Sequence, residues 1–279
     1  MTTGGTTTTE MMVRIGGQRL RVAVRPGRGQ RPPLLLISGI GTSLEAFAPL
    51  VDALDPEREI IRFDVPGVGG SPTPALPYTI PSLALLVDCL VDALGHRRID
   101  VLGTSWGGAL AQQLALGHAH RVRRVVLANT GTGALMIPGA PDVLARLAAP
   151  AWLAAFDGEV PVSELLADPG PLFGGEIRDD PERAFALLGG PWLRVDRVGY
   201  AYQLAAGATW TSLPFLPCLR QPTLLLAGDD DPVVPLANAE LMAALLPDAR
   251  LHVYAGGHLG LATQPDELAP VIDAFLDAP

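Results

Sequence analysis

The chain has 279 residues, a formal net charge of −9, 48% hydrophobic residues and 18% charged residues. That length fits one large α/β domain or a core with an insertion, and the composition describes a chain that buries a large core. The acidic balance argues against nucleic acid as a partner, because phosphate binding needs clustered Lys and Arg.

In chain order, residues 1–10 read as a disordered tail, without the basic start and apolar stretch of a signal peptide. Met11 to Ile15 and Arg19 to Val24 flank Gly16-Gly17, a hairpin signal. Short apolar runs then alternate with helix-like segments. Pro33 to Ile37, Ile60 to Phe63, Ile99 to Leu102, Val125 to Ala128, Thr223 to Ala227 and Leu251 to Tyr254 read as buried strands. Leu44 to Leu54, Ile80 to Leu94, Ala109 to Ala119, Asn238 to Leu246 and Asp266 to Leu276 read as helices. A hairpin followed by β-α repeats predicts an α/β fold, with a mostly parallel eight-stranded sheet and helices on both faces.

The densest basic set, Arg121, Arg123 and Arg124, reads as flanking a strand start. The uncharged stretches Val101 to His120 and Val198 to Leu219 carry glutamines or prolines, so they read as buried protein and not as transmembrane segments. Cys89 and Cys218 are too far apart in sequence to form a metal-ligand motif or a disulfide framework, and a reduced, cytoplasmic setting is the default. No cofactor and no metal is expected.

The β-α rhythm stops between Gly131 and Trp210, a gap of 80 residues. An ordinary αβ connection takes about 2–6 residues. The expected division is a core of residues 11–130 and 211–279, with residues 131–210 inserted as a helical lid above the carboxyl ends of the strands. The insertion is rich in large apolar side chains, among them Trp152, Leu153, Phe156 and Trp192. Most of them are accounted for by packing of lid on core. Met136, Trp210 and Leu259 are the candidate lining residues of a substrate pocket.

Gly103-Thr104-Ser105-Trp106-Gly107 lies between a predicted strand and a predicted helix, the context of a nucleophile elbow. Seven serines and 31 glycines give the bare G-x-S-x-G pattern a chance expectation of about 0.09. The context makes it far more specific. So does the order that follows, with an aspartate and a histidine each placed after a predicted strand. Asp229, Asp230 and Asp231 all follow Gly228. Asp231 is the preferred acid, since it opens Asp231-Pro232-Val233-Val234-Pro235, whereas Asp229 and Asp230 read as a solvated acidic turn. His258 follows Gly256-Gly257, which would let the loop carry an imidazole back over the sheet. His252 reads as strand packing, and His118 and His120 as helix-end charges.

These residue types suit nucleophilic acyl transfer. A serine hydroxyl needs an adjacent base, the base needs an orienting carboxylate, and the tetrahedral oxyanion needs two donors. Trp106 N–H is one candidate donor, and Ile40 N–H in Ser38-Gly39-Ile40-Gly41 is the other. Asp64-Val65-Pro66-Gly67-Val68-Gly69-Gly70-Ser71 lacks the lysine and helix of a phosphate loop and reads as a tight turn near the cleft mouth.

Together these motifs resemble the α/β-hydrolase superfamily over nearly the whole chain. Leu226-Ala227-Gly228-Asp229-Asp230-Asp231-Pro232, Ser105 to Gln113, Phe63 to Ser71, Gly199 to Leu204 and Gly207 to Ser212 resemble the intracellular medium-chain-length poly(3-hydroxyalkanoate) depolymerases. Ser38 stands where that family has Asn; the Ile40 donor is a backbone group and survives the change. The resemblance implies serine-ester hydrolysis of a hydrophobic polyester, with a storage-granule surface as a partner. Two alternatives use the same features. One is a small-molecule carboxylesterase, C–C hydrolase or peptidase. The other is a non-catalytic granule- or ligand-binding module.

Overall fold

A computed structural model describes residues 7–29, 31–147, 170–180 and 196–279. Trp152, Leu153, Phe156 and Trp192 lie outside the described residues. The strands are β1 Thr9–Ile15, β2 Gln18–Arg25, β3 Leu34–Ile37, β4 Ile60–Phe63, β5 Ile99–Thr104, β6 Val122–Ala128, β7 Thr223–Gly228 and β8 Ala249–Tyr254. They form one sheet in the order β1-β2-β4-β3-β5-β6-β7-β8. The β1–β2 hairpin and its junction to β4 are antiparallel, and the remaining pairs are parallel.

Alternation along the central strands builds two cores. Leu35, Ile37, Val101, Val125, Leu127 and Leu225 face one side, and Leu34, Leu36, Leu102, Val126, Leu224 and Leu226 face the other. Helices α1 Ala48–Ala53, α2 Ile80–Ala93 and α3 Trp106–Gly117 follow β3, β4 and β5. The insertion contributes α4 Pro141–Leu147, α5 Gly170–Phe173, α6 Glu176–Asp179 and α7 Arg197–Ala208, and the chain closes with α8 Leu236–Leu245, α9 Gly260–Thr263 and α10 Pro265–Leu276. Leu83, Val87 and Leu90 of α2 and Leu110 and Leu114 of α3 cover the first face. Leu50 and Val51 of α1 and Leu268, Ile272 and Phe275 of α10 cover the second.

Two expectations need correction. The strand begins at Thr9, so Thr9 and Glu10 are not tail: Glu10 pairs with Ala23 in the ladder and with the Arg21 guanidinium at 2.9 Å. Arg121 lies directly before β6 as expected, but Arg123 and Arg124 lie inside the strand. Arg123 grips the fully buried Asp100 of β5 through two hydrogen bonds of 2.9 and 2.6 Å, and Arg124 lies over the Phe275 ring. A strand can hold two arginines when each has a partner this specific. No helix among the described residues is long and apolar enough to cross a membrane.

The strand order also fixes where a site can form. From β3 the chain moves outward to β4, then returns to the other side of β3 as β5. The connections after β3 and β5 therefore lead to helices on opposite faces of the sheet, the arrangement that places a site at the carboxyl ends of the strands.

Candidate active site

Ser105 sits between β5 and α3 with φ 51° and ψ −123°, a left-handed backbone that a non-glycine residue adopts only under constraint. Its surroundings supply the constraint. Ser105 N–H donates to the Ala128 carbonyl at 3.0 Å, and its own carbonyl accepts from Thr130 Oγ1 at 2.7 Å and Gly108 N–H at 2.9 Å. At Gly107 a Cβ would collide with the Ile37 and Ser38 carbonyls, so only glycine lets α3 start this close to the end of β3.

Beyond the serine the predicted partners converge. Ser105 Oγ lies 3.0 Å from His258 Nε2, and His258 Nδ1 lies 2.8 Å from Asp231 Oδ2. With Nδ1–H donated to the carboxylate, Nε2 carries the lone pair that accepts the serine proton. Asp231 is buried and fully engaged. Oδ1 accepts Val233 N–H and Val234 N–H, both at 2.9 Å, and Oδ2 accepts Asn129 Nδ2 at 3.0 Å besides the histidine.

Asp229 is exposed and Asp230 is partly so, as a solvated acidic turn should be, and each also makes a structural contact. Asp229 Oδ1 accepts Gly256 N–H at 3.1 Å, tying the acid turn to the histidine loop. Asp230 Oδ2 accepts Gly175 N–H at 2.7 Å, and its Oδ1 pairs with Arg178 at 3.0 Å, so Asp230 anchors the α5–α6 turn of the insertion. The same turn reaches the histidine directly, where His258 N–H donates to the Phe173 carbonyl at 2.7 Å.

Sequence reasoning missed Asn129. It has φ 47°, a region asparagine tolerates better than most residues. From there its amide donates to Asp231 and, at 3.3 Å, to the Gly257 carbonyl, while its Oδ1 accepts the Tyr254 hydroxyl at 2.7 Å. Burial pushes the Tyr254 phenol well above its usual pKa, so it stays a neutral donor. The available signal was a lone Asn ending a buried strand just before Thr130-Gly131.

The oxyanion candidates lie on either side of the serine. Gly39 packs against Ser105 Cβ, which brings the loop after β3 over the nucleophile. Among the described residues no acceptor takes Ile40 N–H or Trp106 N–H. Within that loop Ser38 Oγ donates to the Thr42 carbonyl at 2.7 Å, so Ser38 serves the loop's own shape.

The three pocket candidates have different surroundings. Met136 is half-buried against Gly131, and Leu259 is half-buried directly after His258. Trp210 packs in the main core and donates Nε1–H to Gln113 Oε1 of α3 at 2.7 Å, a contact that anchors the end of the insertion. The Asp64–Ser71 turn is likewise an anchor. Gly67 meets Gly199 of α7 backbone to backbone, and Thr73 beside it hydrogen-bonds Asp196, the N-cap of α7.

The family model described as alpha/beta hydrolase fold matches residues 32–165 and 197–265. The chain is 45% identical over 269 residues, 95% of its length and 91% of the relative's, to a poly(3-hydroxyalkanoate) depolymerase of Ectopseudomonas oleovorans. It is 28% identical, over 90% of each chain, to 3-oxoadipate enol-lactonase 2 of Acinetobacter baylyi. Among solved structures, an enol-lactonase from Burkholderia xenovorans LB400 matches with a TM-score of 0.80 at 25% identity, covering 96% of this chain and 100% of that one. With the profile, the relative and the geometry in agreement, the chain belongs to the alpha/beta hydrolase fold family, as an ester-hydrolysing serine hydrolase.

Proposed function

We propose that the chain cleaves aliphatic polyesters of medium-chain 3-hydroxyacids inside the cell, at or near storage granules. The observation that carries this reading is the 45% identity to a poly(3-hydroxyalkanoate) depolymerase along 95% of the chain, which includes segments of the insertion. A core shared by many chemistries says little about substrate, whereas a matching lid says more.

In this reading Ser105 Oγ attacks the ester carbonyl carbon while His258 Nε2 takes its proton. The oxyanion forms against Ile40 N–H and Trp106 N–H. Collapse breaks the carbonyl–oxygen bond, and His258 returns the proton to the leaving 3-hydroxyl of the adjoining unit. Water, deprotonated by His258, then attacks the acyl carbon on Ser105; the Oγ–acyl bond breaks, His258 returns the proton to Oγ, and an acid or short oligomer leaves. Asp231 holds the imidazole tautomer and stabilises the imidazolium throughout. Residues 131–210 act as a lid over the cleft, and Met136 and Leu259 contribute to its apolar wall, while Trp210 anchors the insertion to α3.

The test is release of 3-hydroxyacids from purified polymers of defined side-chain length. Medium-chain polymer should be hydrolysed and short-chain polymer spared. No release from any polymer, with rapid turnover of small esters, overturns the polyester reading in favour of a small-molecule esterase. No labelling by a fluorophosphonate probe overturns the enzyme reading altogether.

A further inference from the structure

Gln203, in the middle of α7, is fully buried. Its Oε1 accepts Gly41 N–H at 2.8 Å, and its backbone carbonyl accepts Trp106 Nε1–H at 2.8 Å. Gly41 follows Ile40, and Trp106 is the residue after the serine. One residue of the insertion therefore holds the immediate neighbour of one oxyanion donor and the side chain of the other. The bonds inside the loop, Ser38 Oγ and Thr42 Oγ1 to the Thr42 and Gly39 carbonyls, fix its shape. The Gln203 bond fixes its place against α7.

The other half of the amide points the same way. Gln203 Nε2 is buried and has no hydrogen-bond partner among the described residues. A buried amide donor without a partner is unfavourable, and an apolar side chain of similar volume would avoid that penalty. The glutamine suits this position because of its acceptor. At its N-terminus α7 is fixed to the core by the Gly67–Gly199 approach and the Asp196–Thr73 hydrogen bond. Lid docking and the position of the loop after β3 are thus mechanically joined.

We infer that Gln203 is a positioning residue that assembles the oxyanion hole only when α7 is docked. It aligns Ile40 N–H and Trp106 N–H for the tetrahedral intermediate. The inference rests on the reading of Ser105 as nucleophile. Donors of this kind act mainly in the transition state, so their misplacement lowers kcat more than it raises KM.

The test replaces the acceptor at nearly constant volume. Gln203→Met should lower kcat on an octanoyl ester by about tenfold to a hundredfold with KM within about twofold, a loss smaller than removal of a donor itself. Affinity for a boronic acid that mimics the tetrahedral adduct should fall by the same factor as kcat/KM. Unchanged kcat, or a loss confined to KM, overturns the inference, as does intact boronate affinity alongside reduced kcat. Should Gln203→Met not fold, Trp106→Phe removes the indole N–H that makes the second contact while keeping an aromatic side chain and the backbone N–H. It should show the same pattern at smaller size, and wild-type kcat and boronate affinity would overturn the coupling. If the wild-type protein is not labelled by a fluorophosphonate, the parent reading fails; if it is labelled and both variants behave as wild type, only this inference fails.

Discussion

Asp231 differs from its two acidic neighbours in how many donors meet it. Two backbone amides, one asparagine amide and one imidazole leave its carboxylate no freedom. Asp231→Asn should therefore lower kcat by about 10⁴, since the amide stabilises the wrong histidine tautomer. Asp229→Asn and Asp230→Asn should cost less than about tenfold, because they loosen loops without touching the imidazole. A comparable loss at Asp230 in steady-state assays would reassign the acid. Ser105→Ala should abolish turnover while leaving thermal unfolding unchanged, because it removes one oxygen from an otherwise satisfied turn. Activity above a trace in the purified variant would exclude Ser105 as nucleophile.

At the scale of elements, the insertion is held by contacts that only small residues allow. At Gly199 a Cβ would collide with the Gly67 carbonyl oxygen, so Gly199→Ala should push the start of α7 off the Asp64–Ser71 turn. The expected result is a several-fold lower kcat/KM on octanoyl esters with little change in overall unfolding, measured side by side with wild type. No change would mean that docking tolerates the extra methyl. The loop before α1 carries a pH-dependent contact. Burial opposes ionisation of Glu45, but hydrogen bonds from Arg21 and Ser43 outweigh it and hold the carboxyl below its ordinary pKa. A depressed folded pKa means stability that is present above the unfolded value of about 4.3 and lost as pH falls through the folded value. Glu45→Gln should flatten the acid limb of a urea-midpoint profile between about pH 3 and 5. An unchanged slope would show that the Arg21 contact contributes nothing to acid stability.

For the whole molecule, the two ends of the sheet have separate tasks. At the amino ends of the strands, buried Arg58 meets Asp273 at 3.3 Å, Asp277 at 2.6 Å and Asp100 at 3.9 Å, and Arg123 joins through Asp100. This network ties α10 to the sheet. Asp100→Ala would leave two guanidinium groups short of a partner and should destabilise the fold by about 3–5 kcal/mol. Asp100 lies five residues before Ser105 along one strand, about 16 Å at strand rise, so kcat of the folded variant should match wild type. At the carboxyl ends, the proposed lid would make an apolar, covered cleft that favours longer acyl chains. Kinetics across acetyl, butyryl, octanoyl and decanoyl esters should show rising kcat/KM, and a steep preference for acetyl would count against the polyester substrate.

Much of this was legible in the chain itself. Each buried strand is a short apolar run, and Ser105, Asp231 and His258 each follow one with glycine close by, so alternation and turn chemistry determined both the parallel sheet and the convergence of three loops at its carboxyl end. Charged residues inside a strand escaped the same reading, because Arg123 and Arg124 make sense only beside Asp100 and Phe275. The supporting contacts escaped it too. Asn129 reaches Asp231 across 102 residues of sequence, and Gln203 reaches Gly41 across 162. Local pattern determines which segments become strands and which loops carry reactive side chains, since those depend on neighbours in sequence. Which amide steadies Asp231, which acidic residue anchors the α5–α6 turn and which residue of α7 holds the loop after β3 depend on contacts through space, and folding alone decided them.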